Sequence, residues 1–467
     1  MLDDAIAAID AHIADLRANG SIPGLSLAVT DRDGLLIDRQ YGFAEVASGR
    51  PVAADTLFEI GSIGKTPCAV IVMQLVEEGR IGLDDPIVRH LPWFEVPGIG
   101  ARITIRHLLN HTGGITAGID GTPEPKFQVW RLRDLIPGGE PGQRFHYSNI
   151  GYKALGLMIA RLEGAPYPEV LRRRVLDPLG MGASEPAITN DIRARIAVGY
   201  EPARDDRSWD EGDLLLPAVW LETDTADGAI ASTAADMAIF ARMLLNDGAG
   251  SNGRLISTDS LAQMLAPMPL DDDHGYGLGI YSRDFDGRHL IGHTGGMVGF
   301  IAGLWCDPAA GLAVVVLQNG PGHGPNILAR RLLRVVRAAQ AGSDPAAELA
   351  AALAELAAAD ADEDEAPEAA KAAEHPAHSP ITGTYRSHDP WTPTFRVVMR
   401  GDVPWLCFWS APDGFDDEQP LVAIGDDSYR IGDDPFGPER LAFDTVIDGH
   451  TVRAWLSGWD YYRTGDA

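Results

Sequence analysis

The sequence predicts an α+β domain followed by a small all-β domain. Strand patterns stand near both ends of the first 340 residues, at 25–29, 35–41, 277–281, 289–292, 300–305 and 312–317. The residues between these two groups are mostly helical segments and Pro/Gly-rich loops. Such an order predicts one antiparallel sheet assembled from both ends of a domain, flanked by helices and joined to a helical subdomain. Short alternating runs after residue 380 predict the second, all-β domain.

The length of 467 residues exceeds what a single hydrophobic core usually supports. We expect a first domain over residues 1–340, a linker over 341–379 and a β-barrel-like domain over 380–467. The linker is rich in alanine and acidic residues, a composition that leaves room for one short helix.

The helices are expected at 3–19, from about Lys65 to Gly79, at 151–163, after Thr233 and at 326–339. Pro67 lacks a backbone N–H, so the regular helix is expected to begin near Lys65, with a tighter turn holding Ser62. Thr233 and Asp236 have the spacing of a capping box at the start of a helix.

The charge balance narrows the classes of partner. Asp and Glu outnumber Lys and Arg by 67 to 38, which gives a net charge of −29. This charge argues against binding to nucleic acid or to anionic membrane surfaces. The sequence has no apolar run of membrane-spanning length, and its first residues lack the basic and apolar regions of a signal peptide. We therefore expect a cytoplasmic protein, unless an export signal has been removed. The sequence is compatible with both a monomer and a homo-oligomer.

The cysteine and histidine spacings predict no metal and no cofactor. Cys68, Cys306 and Cys407 are far apart in the sequence, and each lies in an apolar run that favours a buried free thiol. His107 and His111 are four residues apart, as in some zinc sites, but no glutamate lies between them. We expect core or capping roles for both histidines.

A serine and a lysine three residues apart, Ser62 and Lys65, precede an apolar helical run. This spacing places both side chains on one helix face. A desolvated lysine can take the proton of a serine hydroxyl and make it a nucleophile. The structural alternative is a helix start with a capping serine and a surface lysine.

Two further elements bear on this pair. Tyr147 and Asn149 precede a helix, where a tyrosine could relay a proton and an asparagine could bind a lysine and a substrate amide. The alternative is an exposed loop in which Asn149 caps the helix.

The second element is His293-Thr294-Gly295-Gly296, between an apolar strand pattern and another strand start. Glycines inside a strand pattern indicate that another group approaches the backbone closely. The same four residue types occur at 111–114 after a helical run, where Gly113 is predicted to be a helix C-cap. We expect the copy at 111–114 to be structural and the copy at 293–296 to bind substrate.

The three elements, in this order, resemble the motifs of the serine β-lactamase and penicillin-binding protein superfamily. The Tyr-x-Asn form is similar to that of class C β-lactamases, D-aminopeptidases and carboxylesterases, and the resemblance extends from about Gly24 to Asn319. It implies a β-lactamase-like fold for the first domain. It also implies Ser62 as nucleophile, Lys65 as base and Tyr147 as proton relay.

The resemblance further implies that Asn149 positions the substrate and that the backbone N–H groups of Ser62 and Gly296 form the oxyanion hole. Members that act on β-lactams usually carry lysine where this chain has His293. Histidine is mostly neutral near pH 7, so a substrate carboxylate finds no fixed cation there. The resemblance therefore favours small amides or peptides as substrates, as in D-aminopeptidases and amidases. Short-chain esters and β-lactams are the alternatives.

Other classes of protein fit less well. Gly64-Lys65-Thr66 lacks the earlier glycine of a phosphate-binding loop, and Ser62 lacks the glycine frame of an α/β-hydrolase nucleophile. A binding protein that has lost its chemistry predicts a damaged motif, and all three motifs are intact.

Overall fold

The computed structural model describes residues 2–18, 22–118, 124–205, 207, 209, 212–321, 324–365, 380–409, 417–425 and 427–465. The chain forms two compact units. The first comprises Met1–Gly82, Ile159–Ala203 and Asp210–Glu363, and the second comprises Leu83–Met158, Arg204–Trp209 and Asp364–Ala467. The second unit therefore combines part of the expected first domain with the C-terminal domain.

The α-helices are α1 Leu2–Ala18, α2 Lys65–Glu77, α3 Ile105–Leu109, α4 Pro125–Trp130, α5 Asn149–Glu163, α6 Tyr167–Leu171, α7 Asp177–Leu179, α8 Ala234–Leu245, α9 Thr258–Leu265, α10 Pro325–Ala341 and α11 Pro345–Glu365.

The strands of the first unit are β1 Gly24–Asp31, β2 Leu35–Glu45, β3 Arg50–Pro51, β4 Phe58–Glu59, β5 Tyr200–Pro202, β6 Leu215–Pro217, β7 Ala231–Ser232, β8 Ala249–Gly250, β9 Gly253–Arg254, β10 Met268–Pro269, β11 His274–Tyr276, β12 Tyr281–Phe285, β13 Arg288–Met297, β14 Phe300–Asp307 and β15 Leu312–Gln318. Those of the second unit are β16 Gly383–Arg386, β17 Phe395–Arg400, β18 Val403–Phe408, β19 Glu418–Gly425, β20 Ser428–Ile431, β21 Arg440–Ile447, β22 His450–Leu456 and β23 Trp459–Gly465.

The first unit is built on one antiparallel sheet of nine strands in the order β10-β11-β12-β13-β14-β15-β1-β2-β3. The early strand β1 pairs with the late strand β15, with Leu25 opposite Gln318 and Asp31 opposite Leu312. The predicted assembly of one sheet from both ends of the domain is confirmed. Helices α1, α10 and α11 contribute to the core that packs against β1, β14 and β15, with Ile9, Leu332 and Leu349 buried.

One element prediction for this unit was wrong, and another was only partly right. Residues 277–281 do not form a strand, because Gly277 to Ile280 make the turn between β11 and β12, and Gly279 has a positive φ of 75°. The capping box at Thr233 is only half formed. Thr233 accepts the backbone N–H of Asp236, but the Asp236 carboxylate accepts N–H groups from Ala183 and Ser184 instead.

The start of the expected linker is a regular helix. Residues 345–365 form α11, which is longer than the short helix expected there, and Leu349 and Ala352 on it are buried. Arg334 of α10 forms ion pairs with Glu348 and Glu355 of α11. The alanine content favours a helix, and Glu348 and Glu355 gain a basic partner in Arg334 of α10. Residues 366–379, the rest of the expected linker, lie outside the described part of the chain.

The second unit contains a closed barrel of eight antiparallel strands, β16 to β23. Its core is rich in aromatic side chains, including Tyr385, Phe395, Phe443 and Tyr461. This confirms the expected all-β C-terminal domain. The unit also includes α3, α4 and the start of α5.

Within the described ranges, every helix is too short or too polar to span a bilayer. The same part of the chain holds no group of three or more His, Cys, Asp or Glu side chains that could bind a metal ion. Cys68, Cys306 and Cys407 are buried thiols, as predicted. The expected cytoplasmic location remains a prediction.

Candidate active site

A short 3₁₀ turn carries Ser62, and α2 begins directly after it at Lys65. The turn spans Gly61–Gly64, so Pro67 occupies the third position of α2. Pro67 therefore lies in the first turn of α2, which is the part of a helix where a proline is best tolerated. The predicted tight turn before a regular helix is confirmed.

The side chains of Ser62 and Lys65 are in direct contact. Lys65 Nζ lies 2.8 Å from Ser62 Oγ and 2.8 Å from the carbonyl oxygen of Asp227. Lys65 is fully buried, whereas Ser62 is partly exposed. A base in contact with a reachable hydroxyl is the arrangement that activates a serine nucleophile. The alternative of an ordinary surface lysine is excluded by its burial.

Strand β13 brings the glycines of the third motif against the serine turn. A Cβ added to Gly295 would lie 1.9 Å from the carbonyl oxygen of Ile60 and 3.1 Å from the backbone nitrogen of Ser62. A Cβ added to Gly61 would lie 2.6 Å from the carbonyl oxygen of Gly296. The two backbones therefore approach as closely as the glycine pattern predicted. The N–H groups of Ser62 and Gly296 belong to these adjoining segments.

His293 is buried beside this junction, with an exposed fraction of 1%. Its Nδ1 lies 2.6 Å from the carbonyl oxygen of Thr294, which can only accept, so Nδ1 carries the proton. Nε2 then accepts the hydroxyl of Tyr276 at 3.0 Å. Burial, followed by the charge of Lys65, lowers the pKa of His293 to about 3, against the opposing effect of the Thr294 carbonyl. The imidazole is therefore neutral at pH 7.

Tyr147 and Asn149 lie in the second unit, at the start of α5. The Tyr147 ring is buried and packs against the His111 ring with 4.2 Å between the centroids. The Asn149 N–H donates to the carbonyl oxygen of Ala117 at 2.6 Å. Among the described residues, the buried oxygen Asn149 Oδ1 has no hydrogen-bond partner. An acceptor of this kind is suited to a substrate N–H.

Ser148, between them, caps the helix. Its hydroxyl accepts the N–H of Gly151 and donates to the carbonyl oxygen of Thr116 at 2.7 Å. The alternative in which Asn149 is the cap is therefore wrong. The cap at Ser148 leaves the Asn149 side chain available for another role.

The His-Thr-Gly-Gly copy at residues 111–114 supports the second motif. The sequence predicted only a structural role for it. Helix α3 ends with Asn110 as its C-cap and His111 in the left-handed region at φ 57°, so the prediction of a Gly113 cap was wrong. His111 Nδ1 accepts the backbone N–H of Ser148 at 3.0 Å. His111 thus holds the second motif by both a ring contact and a hydrogen bond. His107 caps α3, as expected, by accepting the N–H of Thr104.

The structure brings Ser62, Lys65, His293, Gly295 and Gly296 together within the first unit, with Thr294 between them on β13. Tyr147 and Asn149 are ordered in the second unit, and their convergence on Ser62 remains a prediction. Two supporting residues were not predicted from the sequence: Tyr276, which donates to His293, and His111, which contacts Tyr147. The hydrogen bonds of Tyr276 and His111 join residues 17 and 37 positions apart, and no short sequence motif covers such distances.

The beta-lactamase family model matches residues 9–339. Penicillin-binding protein 4 from Amycolatopsis lactamdurans is 32% identical over 328 residues, which cover 65% of this chain and 83% of that protein.

Two solved structures show similar folds. The octameric penicillin-binding protein homologue from Pyrococcus abyssi superposes with a TM-score of 0.66 at 24% identity, over 98% of this chain and all 100% of that one. The D-amino acid amidase from Ochrobactrum anthropi SV3 superposes with a TM-score of 0.60 at 26% identity, over 73% of this chain and 99% of that one.

Proposed function

The chain belongs to the beta-lactamase family, and from this premise we propose that it is a serine hydrolase that forms an acyl-enzyme on Ser62. The observation that supports this most strongly is the 2.8 Å contact between Lys65 Nζ and Ser62 Oγ, with Lys65 fully buried. A hydroxyl becomes an effective nucleophile when a neighbouring base takes its proton during attack. Lys65 is the group in position to do so.

The reaction begins when Lys65 takes the Ser62 proton and Oγ forms a bond to the substrate carbonyl carbon. The resulting oxyanion accepts the N–H groups of Ser62 and Gly296, whose segments adjoin at the Gly295 approach. Collapse breaks the bond to the leaving group, and Tyr147 relays to this group the proton that Lys65 took from Ser62, so that Lys65 and Tyr147 both return to their starting states. Water then hydrolyses the Ser62 ester and restores the enzyme.

The neutral state of His293 favours substrates that carry no carboxylate at the end facing this residue. A buried, neutral His293 supplies no cation for a substrate carboxylate. Small amides or peptides, including those of D-amino acids, are therefore the proposed substrates, with Asn149 as acceptor for a substrate N–H. The similarity to a D-amino acid amidase is in keeping with this class. Short-chain esters and β-lactams remain the alternatives. A non-catalytic binding protein is disfavoured, because the Ser–Lys contact is intact.

The substrate is thus the proposed partner, and self-association is a further proposal. The Pyrococcus abyssi homologue that superposes over nearly the whole chain is octameric. Sedimentation of the purified protein gives the oligomeric state directly.

A substrate panel tests the class of reaction. We expect kcat/KM to be highest for D-alanyl or L-alanyl anilide, lower for nitrophenyl butyrate and lowest for a chromogenic cephalosporin. The Ser62→Ala variant is the control and should be inactive on all four. If the cephalosporin exceeds the anilides by tenfold or more, the inference from a neutral His293 fails. A gain by His293→Lys on carboxylate-bearing substrates would support it.

A further inference from the structure

A loop of the C-terminal barrel ends in a buried glutamate. The loop connects β20 to β21 over residues 432–439, and its last residue, Glu439, is only 4% exposed. The strands of a barrel need no buried carboxylate for their own pairing. The main partners of the Glu439 carboxylate lie outside the barrel strands.

Three donors from the α3–α5 part of the second unit meet this carboxylate. Thr116 Oγ1 lies 2.9 and 2.8 Å from its two oxygens, the Ala117 N–H donates at 2.7 Å, and His146 Nε2 lies 2.7 Å away. Burial raises the pKa of Glu439, but the hydrogen bond and charge of His146, with help from Ser457 and Ala117, hold it below its ordinary value. Glu439 is therefore a carboxylate at neutral pH.

Each of these three donor residues is also linked to the second motif, either by its own backbone carbonyl or by a peptide bond. The Thr116 carbonyl accepts the hydroxyl of Ser148 at 2.7 Å, and the Ala117 carbonyl accepts the N–H of Asn149 at 2.6 Å. His146 directly precedes Tyr147 in the chain. Glu439 thus joins the two backbone segments between which the motif is held.

The rest of the loop lies against the same part of the second unit. A Cβ added to Gly138 would lie 2.3 Å from the carbonyl oxygen of Phe436, so the two backbones touch. Asp434 forms an ion pair of 2.6 Å with Arg144, in which both side chains are largely exposed. Exposed pairs of this kind contribute little. Among these loop contacts, Glu439 is the buried and charged one.

We propose that Glu439 is a positioning residue of the hydrolase, which aligns Tyr147 and Asn149 through Thr116, Ala117 and His146. This inference rests on the proposed function, because it assigns Glu439 to the same site. The C-terminal barrel then supports the proton relay and the substrate acceptor through these contacts within the second unit. A displacement of about 1 Å at such groups can lower a rate about 10²-fold.

The variant Glu439→Gln keeps the shape and removes the charge. One of its side-chain atoms becomes an NH₂ group that faces donors, so the carboxylate contacts cannot all be replaced. We expect kcat on the best amide substrate to fall about 10- to 100-fold, with KM within about threefold of wild type. Glu439→Asp, which restores the charge on a shorter side chain, should recover part of kcat.

Asp434→Asn is the matched control, since it removes an exposed carboxylate from the same loop and should leave kcat unchanged. Circular dichroism and thermal melting check that each variant is folded. Should Glu439→Gln fail to fold, Thr116→Val decides, because it removes one donor and leaves the carboxylate paired. A fall in kcat at constant KM supports the proposal, and wild-type kcat overturns it.

The outcomes separate this inference from the proposed function. If the wild-type protein is neither labelled at Ser62 by a fluorophosphonate nor active on the panel, the proposed function itself fails. If the wild type is labelled and active but folded Glu439→Gln has wild-type kcat, only the positioning role of Glu439 is overturned. An equal loss in Asp434→Asn would also overturn it, since any change in the loop would then suffice.

Discussion

At the scale of single residues, the charge of His293 is decided by its surroundings. Burial disfavours a charged imidazole, the Thr294 carbonyl requires a proton on Nδ1, and the Tyr276 hydroxyl donates to Nε2. A lysine at this position would instead bring a fixed cation. Histidine at position 293 therefore leaves this part of β13 without a fixed cation.

This charge state makes a prediction about stability and pH. The pKa of His293 falls from its ordinary value of 6.5 to about 3 in the folded chain, so between these values the unfolded chain binds more protons. Its contribution to the free energy of unfolding is therefore full above pH 6.5 and is lost as the pH falls towards 3. The slope is at most about 1.4 kcal/mol per pH unit. Urea unfolding at pH 7, 6 and 5 measures it, and His293→Gln should lose less stability over this range.

Glu59 acts in the opposite direction. Burial raises its pKa from 4.5 to about 8, so its contribution is full below 4.5 and is lost as the pH rises through 8. This effect is common to wild type and variant and cancels in their difference. His289→Gln, at an exposed position of the same strand, should behave as wild type. Parallel pH curves for wild type and His293→Gln would contradict a neutral buried His293.

At the scale of elements, the site depends on one close approach between the Ser62 turn and strand β13. Gly61 and Gly295 allow it, because a side chain at either position would overlap the opposite backbone. Gly61 also has a positive φ of 53°. The approach places the backbone of the third motif next to the N–H of Ser62.

Gly295→Ala tests this approach. Its methyl group would overlap the Ile60 carbonyl, so strand and turn must separate. We expect a loss of about 1–3 kcal/mol in stability and about 10²-fold in kcat/KM, measured by urea unfolding and anilide hydrolysis. Gly34→Ala is the control, because no atom lies within 4 Å of the added group. Wild-type kcat/KM in Gly295→Ala would show that the close approach is not needed.

Much of the element order could be predicted from the sequence, because periodicity and caps are local properties. Strands β1, β2, β13, β14 and β15 and the 3₁₀ turn before α2 followed from such signals, whereas the short or irregular strands β3, β10, β11 and β12 were not predicted. The strand predicted over residues 277–281 was wrong, because apolar side chains in a glycine-rich turn give the same sequence pattern as a strand. Helix α11 was underestimated because its stabilisation comes partly from Arg334 of α10, which a local pattern cannot show.

At the scale of the whole molecule, the way in which separate segments of the chain group into two units could not be predicted from the sequence. The motifs identified Ser62, Lys65, Tyr147, Asn149 and His293, since each stands in a short pattern. Glu439 could not be found this way. It is 323 residues from Thr116, its donor, and lies in no motif. Contacts of this range are set by the packing of the barrel and are invisible to local spacing.

Ser62, activated by Lys65, is the proposed nucleophile of a serine hydrolase. Incubation with a fluorophosphonate or an activated ester, followed by peptide mass spectrometry, tests it most directly. We predict a single adduct on Ser62, and at least about 10²-fold slower labelling in Lys65→Met, because the general base is lost. Labelling at another residue, or normal turnover by Ser62→Ala, would contradict the mechanism.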